Sequence, residues 1–353
     1  MVDFSSQISV MVKSMLNLET LWKLSDFRPN DQQKEAILYT DGPLYLTAGP
    51  GSGKTRVLLW RVVNLIVFQD IKPEEIFLST FTEKAAHQLQ EGLRNLLDFA
   101  TNINGKPYDL SKMYIGTVHS LCRRILNERR IFLQDFHTNP TPSLMDELDQ
   151  YFHVAKSRNW QKYRSALKID ENDDLNQTIN AIFDTQKISK HSAVTSSISF
   201  FNRCSEECID PQNAIERLLH PDDALSSFFQ SNGIELDQLI QAMMLYQSYR
   251  ESLKRDEKLR STDFSLLQQE AYNVLMEREE TTKVFKHVII DEYQDTNTIQ
   301  EKIFFRLAKS YKNICVVGDD DQALYRFRGA TVENFVEFPN RCVCSLGVKP
   351  HRI

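Results

Sequence analysis

The strongest constraint in this sequence is a glycine-rich segment placed between an apolar run and a helix start. Residues 44–47, LYLT, are apolar enough for a buried strand, and residues 48–55 read AGPGSGKT. Small residues let successive backbone N–H groups turn toward a phosphate, and the following helix N-terminus adds the positive end of its dipole. A turn without a ligand is disfavoured because strand, lysine, threonine and helix stand in register. The sequence therefore predicts a phosphate-binding loop.

This loop gives particular residues a chemical role. Lys54 is expected to reach the β- and γ-phosphates of ATP, and the Thr55 hydroxyl is expected to ligate Mg²⁺. Ala48 replaces the glycine with which the general pattern begins, but it is still small. The predicted nucleotide contacts in this segment are Ala48, Gly49, Pro50, Gly51, Ser52, Gly53, Lys54, Thr55 and Arg56.

A second apolar run, residues 288–290, ends in the adjacent acids Asp291 and Glu292. Side chains alternate along a strand, so the two carboxylates are predicted to point in different directions and to do different work. Asp291 suits Mg²⁺ binding, and Glu292 suits orienting and deprotonating the attacking water. We expect residues 51–55 to face these acids across the tips of neighbouring strands.

The chain as a whole alternates between strand-like and helix-like segments. Short apolar runs that predict buried strands occur at residues 44–47, 76–80, 114–118, 288–290 and 314–317. Each is followed by a helical pattern, which predicts an α/β fold with a parallel sheet covered by helices. Residues 125–260 are more polar and have helical periodicity, so we interpret them as a helical insertion between residues 27–124 and 261–345. Residues 1–26 are predicted to be a helical extension, with an apolar face formed by Ile8, Met11, Val12, Met15 and Leu16.

Composition limits the surroundings in which such a chain works. The net charge of −6 gives no overall basic surface, so any nucleic-acid contact must come from a local patch. No apolar run in the sequence is long enough to span a membrane, and six cysteines in 353 residues do not form a dense disulfide framework. We expect a cytoplasmic protein with six thiols and no cysteine metal site.

Residues 291–297, DEYQDTN, resemble motif II of the UvrD/Rep-type superfamily 1 DNA helicases. Further segments resemble other motifs of that family in the family's order. These are residues 30–36 for the Q motif, 80–86 for motif Ia, 116–120 for motif Ib, 263–267 for the segment before motif II, and 318–330 for motif III. Glu83, Arg326 and Phe327 stand where other residues are usual. The resemblance covers about residues 30–330.

The resemblance implies a RecA-like P-loop NTPase domain, split by a helical subdomain, that couples ATP hydrolysis to 3′-to-5′ movement on single-stranded DNA. It also implies that Gln33 reads adenine, for which its amide carries a matching donor and acceptor. Gln322 would touch the γ-phosphate or its water, although a capping role in its loop is the alternative.

The DNA side of such a domain combines stacking with backbone contacts. Phe81, Tyr325 and Phe327 are the predicted stacking platforms, and each could instead belong to the core. Thr82 and His119 are predicted to bond phosphate oxygens. Arg123, Arg124, Arg129 and Arg130 supply local positive charge or a solvated helix face.

Family members continue into motif IV and a second RecA-like domain. Residues 345–353, SLGVKPHRI, do not resemble motif IV. From this we expect the polypeptide alone to bind nucleotide, to hydrolyse it slowly and not to unwind DNA, with a second chain that supplies motifs IV to VI as an implied partner. The alternative is a regulatory module that binds nucleotide and DNA without turnover.

Overall fold

The computed structural model describes residues 17–49, 51–127, 142–186, 188–254, 261–319 and 332–353. The chain divides into two compact units. The first unit comprises Met1–Ile131 and Tyr272–Ile353, and the second comprises Phe132–Ala271. The apolar face predicted for residues 1–16 lies outside the described residues.

Two parallel sheets contain the strands of the described chain. In chain order the strands are β1 (Leu44–Thr47), β2 (Ile76–Thr80), β3 (Tyr114–Thr117), β4 (Ser143–Leu144), β5 (Ser261–Thr262), β6 (His287–Ile290), β7 (Ile314–Gly318) and β8 (His351–Arg352). Strands β4 and β5 pair in the second unit, whereas the first unit has a six-stranded sheet in the order β3-β2-β6-β7-β1-β8. All five predicted strands are confirmed, and the prediction of an α/β fold with a parallel sheet is correct.

The order of the strands corrects one expectation. Strand β7 lies between β1, which leads into the glycine-rich loop, and β6, which leads into the two acids. The expectation that these two strands are neighbours is therefore wrong. Strand β8 was not predicted, because two residues are too few to show a period.

Helices connect the strands and form most of the second unit. In chain order they are α1 (Leu18–Leu24), α2 (Asp31–Leu38), α3 (Lys54–Val63), α4 (Glu83–Asn104), α5 (Val118–Asn127), α6 (Glu147–Ala155), α7 (Ser157–Leu167), α8 (Leu175–Ile182), α9 (Lys190–Glu206), α10 (Pro211–Leu219), α11 (Asp223–Asn232), α12 (Leu236–Leu253), α13 (Phe264–Glu277), α14 (Thr298–Ala308), α15 (Val332–Val336) and α16 (Phe338–Leu346). A π-helical turn, Asn64–Phe68, extends α3, and 3₁₀ turns occur at Pro73–Glu75, Glu279–Lys283 and Tyr293–Asp295. Within the described ranges, no helix is both long and apolar enough to cross a membrane.

The central strands of the first unit's sheet are covered on both faces. Strands β2, β6 and β7 are buried along their whole length, as expected for strands with helices on both faces. At the start of the unit, Phe27 stacks on Trp60 with ring centroids 5.5 Å apart, and Trp22 meets both rings edge-on. Burial of a side chain such as Phe27 contributes about 1.5–3 kcal/mol, so this cluster fixes α1 and α3 beside the glycine-rich loop.

The second unit, Phe132–Ala271, is mostly helical and overlaps residues 125–260, which we interpret as a helical insertion. Helices α6 to α12 enclose a separate apolar core that includes Trp160, Phe201 and Tyr246. A buried carboxylate, Asp263, accepts hydrogen bonds from the Tyr249 hydroxyl at 2.6 Å and from the Leu266 backbone N–H at 2.8 Å. Asp263 therefore caps α13 while anchoring it to α12.

Candidate nucleotide-binding site

The glycine-rich loop begins where β1 ends. The Ala48 N–H donates to the Gly318 carbonyl at 3.0 Å, which extends the pairing of β1 with β7 by one residue beyond the strand. Gly51 and Gly53 then adopt left-handed backbone conformations with φ of 74° and 83°. L-residues with a side chain rarely adopt these angles, so glycine is required at both positions. Pro50 lies outside the described residues.

Helix α3 starts at Lys54, immediately after the loop. Gly53 is its N-cap and has no side chain to bond the first N–H groups of the helix. These N–H groups and the positive end of the helix dipole are therefore available to an anion. Ser52 and Thr55 are exposed beside them, so the loop can receive a phosphate group at its open face.

The two acids follow β6, but the backbone separates them differently from the prediction. Asp291 continues the pairing with β2 through its N–H, which donates to the Ser79 carbonyl at 2.8 Å, and its side chain is buried. Glu292 has left-handed backbone angles, φ 53° and ψ 48°, and its side chain is 33% exposed. The two side chains thus differ in exposure, and the left-handed residue lies directly after the strand end.

Lys54 and Glu292 connect the loop to the acids. The Lys54 Nζ lies 3.6 Å from the Glu292 Oε2, and the lysine side chain is only 11% exposed. Strand β7 separates the two parent strands, yet all of them end at the same edge of the parallel sheet. The structure therefore places the predicted phosphate-binding lysine and the predicted base in one site.

Burial and charge at this site favour a cation. Burial raises the pKa of Asp291 to about 7, and the Glu292 charge adds to this rise, while the Glu292 N–H and Lys54 partly offset it. Asp295 is buried nearby with its Oδ1 atom unpartnered, and burial followed by the Glu292 charge raises its pKa to about 6. A divalent cation would offset these costs.

Thr55 and Asp291 fit Mg²⁺ by their oxygen ligands. Within the described ranges, no group of three or more His, Cys, Asp or Glu side chains could hold a metal ion. Mg²⁺ commonly uses one or two protein ligands together with phosphate oxygens and water.

Gln33 lies at the N-terminus of α2 and contacts the glycine-rich loop. Its Oε1 accepts from the Asn30 N–H at 3.0 Å in a capping box, and its Nε2 donates to the Ser52 carbonyl at 2.9 Å. Both ends of the amide are therefore engaged, and pairing with adenine would require Gln33 to exchange these bonds.

A cleft of about 610 Å³ opens beside Gln33 and the loop. Its other lining residues include Asp26, Phe27 and Arg28, which sequence reasoning missed. The Arg56 guanidinium lies 4.6 Å from the centre of the Phe27 ring, so cation and ring form one wall of the cleft. The only sequence signal for these residues is their position just before the segment that resembles the Q motif.

The predicted DNA contacts are placed in part. Phe81 and Thr82 follow β2, and His119 lies just after the neighbouring strand β3. Thr80 and Thr117, the last residues of these two strands, are paired. Phe81 and His119 are half-buried, and the exposed Thr82 caps α4 by accepting from the Ala85 N–H at 3.1 Å. The predicted residues Gln322, Tyr325 and Phe327 lie outside the described residues.

The predicted arginine group on α5 is not uniformly available for phosphate. Arg124 donates to the backbone carbonyls of Met113 at 2.6 Å and Lys112 at 2.9 Å, and its guanidinium lies 3.9 Å from the centre of the Tyr114 ring. These contacts give Arg124 a structural role, whereas Arg123 is exposed. Arg129 and Arg130 lie outside the described residues.

Comparison with known proteins identifies the family to which the chain belongs. The family model described as the UvrD/REP helicase N-terminal domain matches residues 29–342. The ATP-dependent DNA helicase PcrA of Bacillus subtilis is 30% identical over 325 residues, which cover 90% of this chain and 36% of that protein. The ATP-dependent DNA helicase SRS2 of Saccharomyces cerevisiae is 31% identical over 338 residues, which cover 91% of this chain and 25% of that protein. The chain thus spans about a third of the length of the first relative and a quarter of the second.

Proposed function

Because the chain belongs to the UvrD/REP helicase family, we propose that its first unit binds ATP with Mg²⁺ and hydrolyses it as a motor domain of a DNA helicase. The observation that carries this proposal is the 3.6 Å approach of Lys54 Nζ to Glu292 Oε2. It joins a phosphate-binding loop to a candidate general base at one edge of the sheet.

The chemical roles follow from the position of each group. Lys54 and the first N–H groups of α3 bind phosphate oxygens, and Lys54 moves from Glu292 to the phosphates when ATP binds. Thr55 and Asp291 would hold Mg²⁺, which when bound neutralises charge on the phosphate oxygens. Glu292 orients the attacking water and accepts its proton. Gln322, by its place in the sequence, is assigned to the γ-phosphate.

The proposed DNA path lies at the ends of β2 and β3. Phe81 stacks on a base, and Thr82 and His119 contact phosphates of the DNA. The support for these roles is that the three residues follow the neighbouring strands β2 and β3. Tyr325 and Phe327 are proposed as further platforms on sequence grounds. Because the chain carries a net charge of −6, this binding depends on a local patch and on stacking. The proposed direction of movement is 3′ to 5′.

ATP turnover with and without oligo(dT) tests the proposal. The wild-type chain should hydrolyse Mg·ATP faster with DNA, and Glu292→Gln should slow hydrolysis by about 100-fold or more while still binding nucleotide, because it removes the base. Glu280→Gln, at an exposed position, is the matched control and should match the wild type. Equal rates for wild type and Glu292→Gln would contradict the assignment of the base.

The same assay separates the two candidate functions. Slow turnover remains the prediction for the 353-residue polypeptide assayed alone, and stimulation by a chain that carries motifs IV to VI remains a prediction as well. Nucleotide and DNA binding without any hydrolysis would select the regulatory module instead.

A further inference from the structure

Gln294 is a buried side chain beside the candidate base. It lies in the 3₁₀ turn Tyr293–Asp295, directly after Glu292, and is only 2% exposed. An amide buried to this degree is costly unless its donor and acceptor are both satisfied. The hydrogen-bond partners of the Gln294 amide therefore indicate which groups the turn positions.

Both ends of the Gln294 amide have a partner in the site. The Nε2 donates to the Glu292 Oε2 at 2.7 Å, and the Oε1 accepts from the Asp319 N–H at 3.1 Å. The backbone N–H of Asp319 can only donate, so it fixes the amide oxygen on its own side. The amide NH₂ must then face the carboxylate of Glu292.

Glu292 needs such a partner because its other contact is temporary. Lys54 also lies against Oε2, at 3.6 Å, and is proposed to move to the phosphates when ATP binds. Once Lys54 leaves, the charge-assisted bond from Gln294 still holds Oε2. This leaves Oε1 to face the attacking water.

The neighbouring glycine makes room for this amide. A β-carbon at Gly318 would lie 2.7 Å from the Gln294 Oε1 and 2.7 Å from Cε2 of the buried Phe335 ring. Any larger residue at the end of β7 would have to displace one of the two. Glycine at this position thus preserves the link from Asp319 through Gln294 to Glu292.

From this geometry we propose that Gln294 is a positioning residue, which orients the Glu292 carboxylate for proton abstraction through its amide. The proposal rests on the proposed ATP hydrolysis and adds a residue that acts through the base. Misplacing a reacting group by about 1 Å can cost about 100-fold in rate, so loss of the amide should lower the rate of the chemical step rather than nucleotide affinity.

Gln294→Met keeps the length of the side chain and removes both hydrogen bonds. The matched control is Gln300→Met, which removes another buried amide in the first unit that only caps α14. In single-turnover hydrolysis with protein in excess, Gln294→Met should be slower by about 10- to 100-fold, with Mg·ATP dissociation constants within about threefold of wild type. Gln300→Met should change neither quantity by more than about threefold. Equal single-turnover rates for the two variants would overturn the proposal.

Further variants keep the proposal testable if Gln294→Met does not fold or if the wild type does not hydrolyse ATP. If Gln294→Met does not fold, Gln294→Leu removes the same two hydrogen bonds without adding a charge, and the same loss of rate is expected. If the wild type binds Mg·ATP without hydrolysing it, the proposed hydrolysis fails and a double-mutant cycle decides the Gln294 contact. The free energies of unfolding of Gln294→Leu, Glu292→Ala and the double variant should then be non-additive. Additive changes would refute the link.

Discussion

Replacing His287 with valine should remove much of the acid sensitivity of the first unit. His287 begins β6, the strand that leads to the two acids, and only 5% of it is exposed. Burial lowers its pKa from 6.5 to about 4, and the like charges of Arg61 and Lys286 add to the effect. The folded protein therefore keeps this ring neutral at pH values where the unfolded chain protonates it.

The sign and size of the effect follow from these two pKa values. The stabilisation is fully present above pH 6.5 and is lost as the pH falls toward 4, because only the unfolded state gains the proton in that interval. At about 1.36 kcal/mol per pH unit, the interval amounts to about 3 kcal/mol of unfolding free energy. This is an upper value, reached only where the unfolded chain is fully protonated.

Denaturant unfolding between pH 7.5 and 4 measures this contribution. In a Trp160→Phe background, which removes the tryptophan of the second unit, fluorescence reports on the first unit through Trp22 and Trp60, which are buried in its core. The free energy of unfolding of the wild type minus that of His287→Val should fall by up to about 3 kcal/mol as the pH falls. The exposed His87→Val is the control, and its difference should stay constant. A constant difference for His287→Val as well would refute the reasoning.

Three further changes test other parts of the structure. Burial raises the pKa of Glu206 to about 7, so the stability of the wild type falls as the pH rises from 4.5 to 7. The denaturant midpoint of Glu206→Gln should therefore exceed that of the wild type at pH 8 but not at pH 4. Arg341→Met leaves the buried carboxylate of Glu301 without its cation and should cost about 3 kcal/mol in urea unfolding, the low end for a buried pair because Arg341 is 36% exposed. Gly53→Ala places a side chain at φ 83°, which strains the loop by about 1–2 kcal/mol. A fluorescence titration should therefore show Mg·ATP binding weakened about tenfold, and unchanged affinity would contradict this.

The sheet could be predicted from the sequence because its strands are short apolar runs buried on both faces. Such runs stand out against the polar helices that follow them, so the start of each predicted strand lies within one residue of the observed one. Their order in space could not be derived, because no residue of β1 or β6 indicates that β7 lies between them. Strand β8 has only two residues and owes its place to pairing with β1.

The candidate site could be predicted where chemistry restricts the residue type. Lys54, Thr55, Asp291 and Glu292 are proposed from the sequence because phosphate and Mg²⁺ binding would restrict the choice of side chain. Gln294 was not given a role, because its function depends on an amide orientation that is set by a backbone N–H distant in sequence.

The backbone conformation of Glu292 could not be predicted from the sequence either. The left-handed angles of Glu292 have no local signal, since glutamate rarely adopts them, and they depend on the surrounding packing. Similarly, Arg124 donates to two backbone carbonyls that only the tertiary structure brings near it. The group of arginines in the sequence therefore suggested more charge available for phosphate than the described residues provide.

Calorimetric titration of the chain with ATP, with and without Mg²⁺, tests the central claim that the loop and the acids form one site. We predict a single site per chain whose affinity is reduced by about tenfold or more in Lys54→Ala, and whose Mg²⁺ dependence is lost in Asp291→Asn. The exposed Lys72→Ala should bind as the wild type does. Unchanged ATP affinity in Lys54→Ala, together with unchanged Mg²⁺ dependence in Asp291→Asn, would contradict the account.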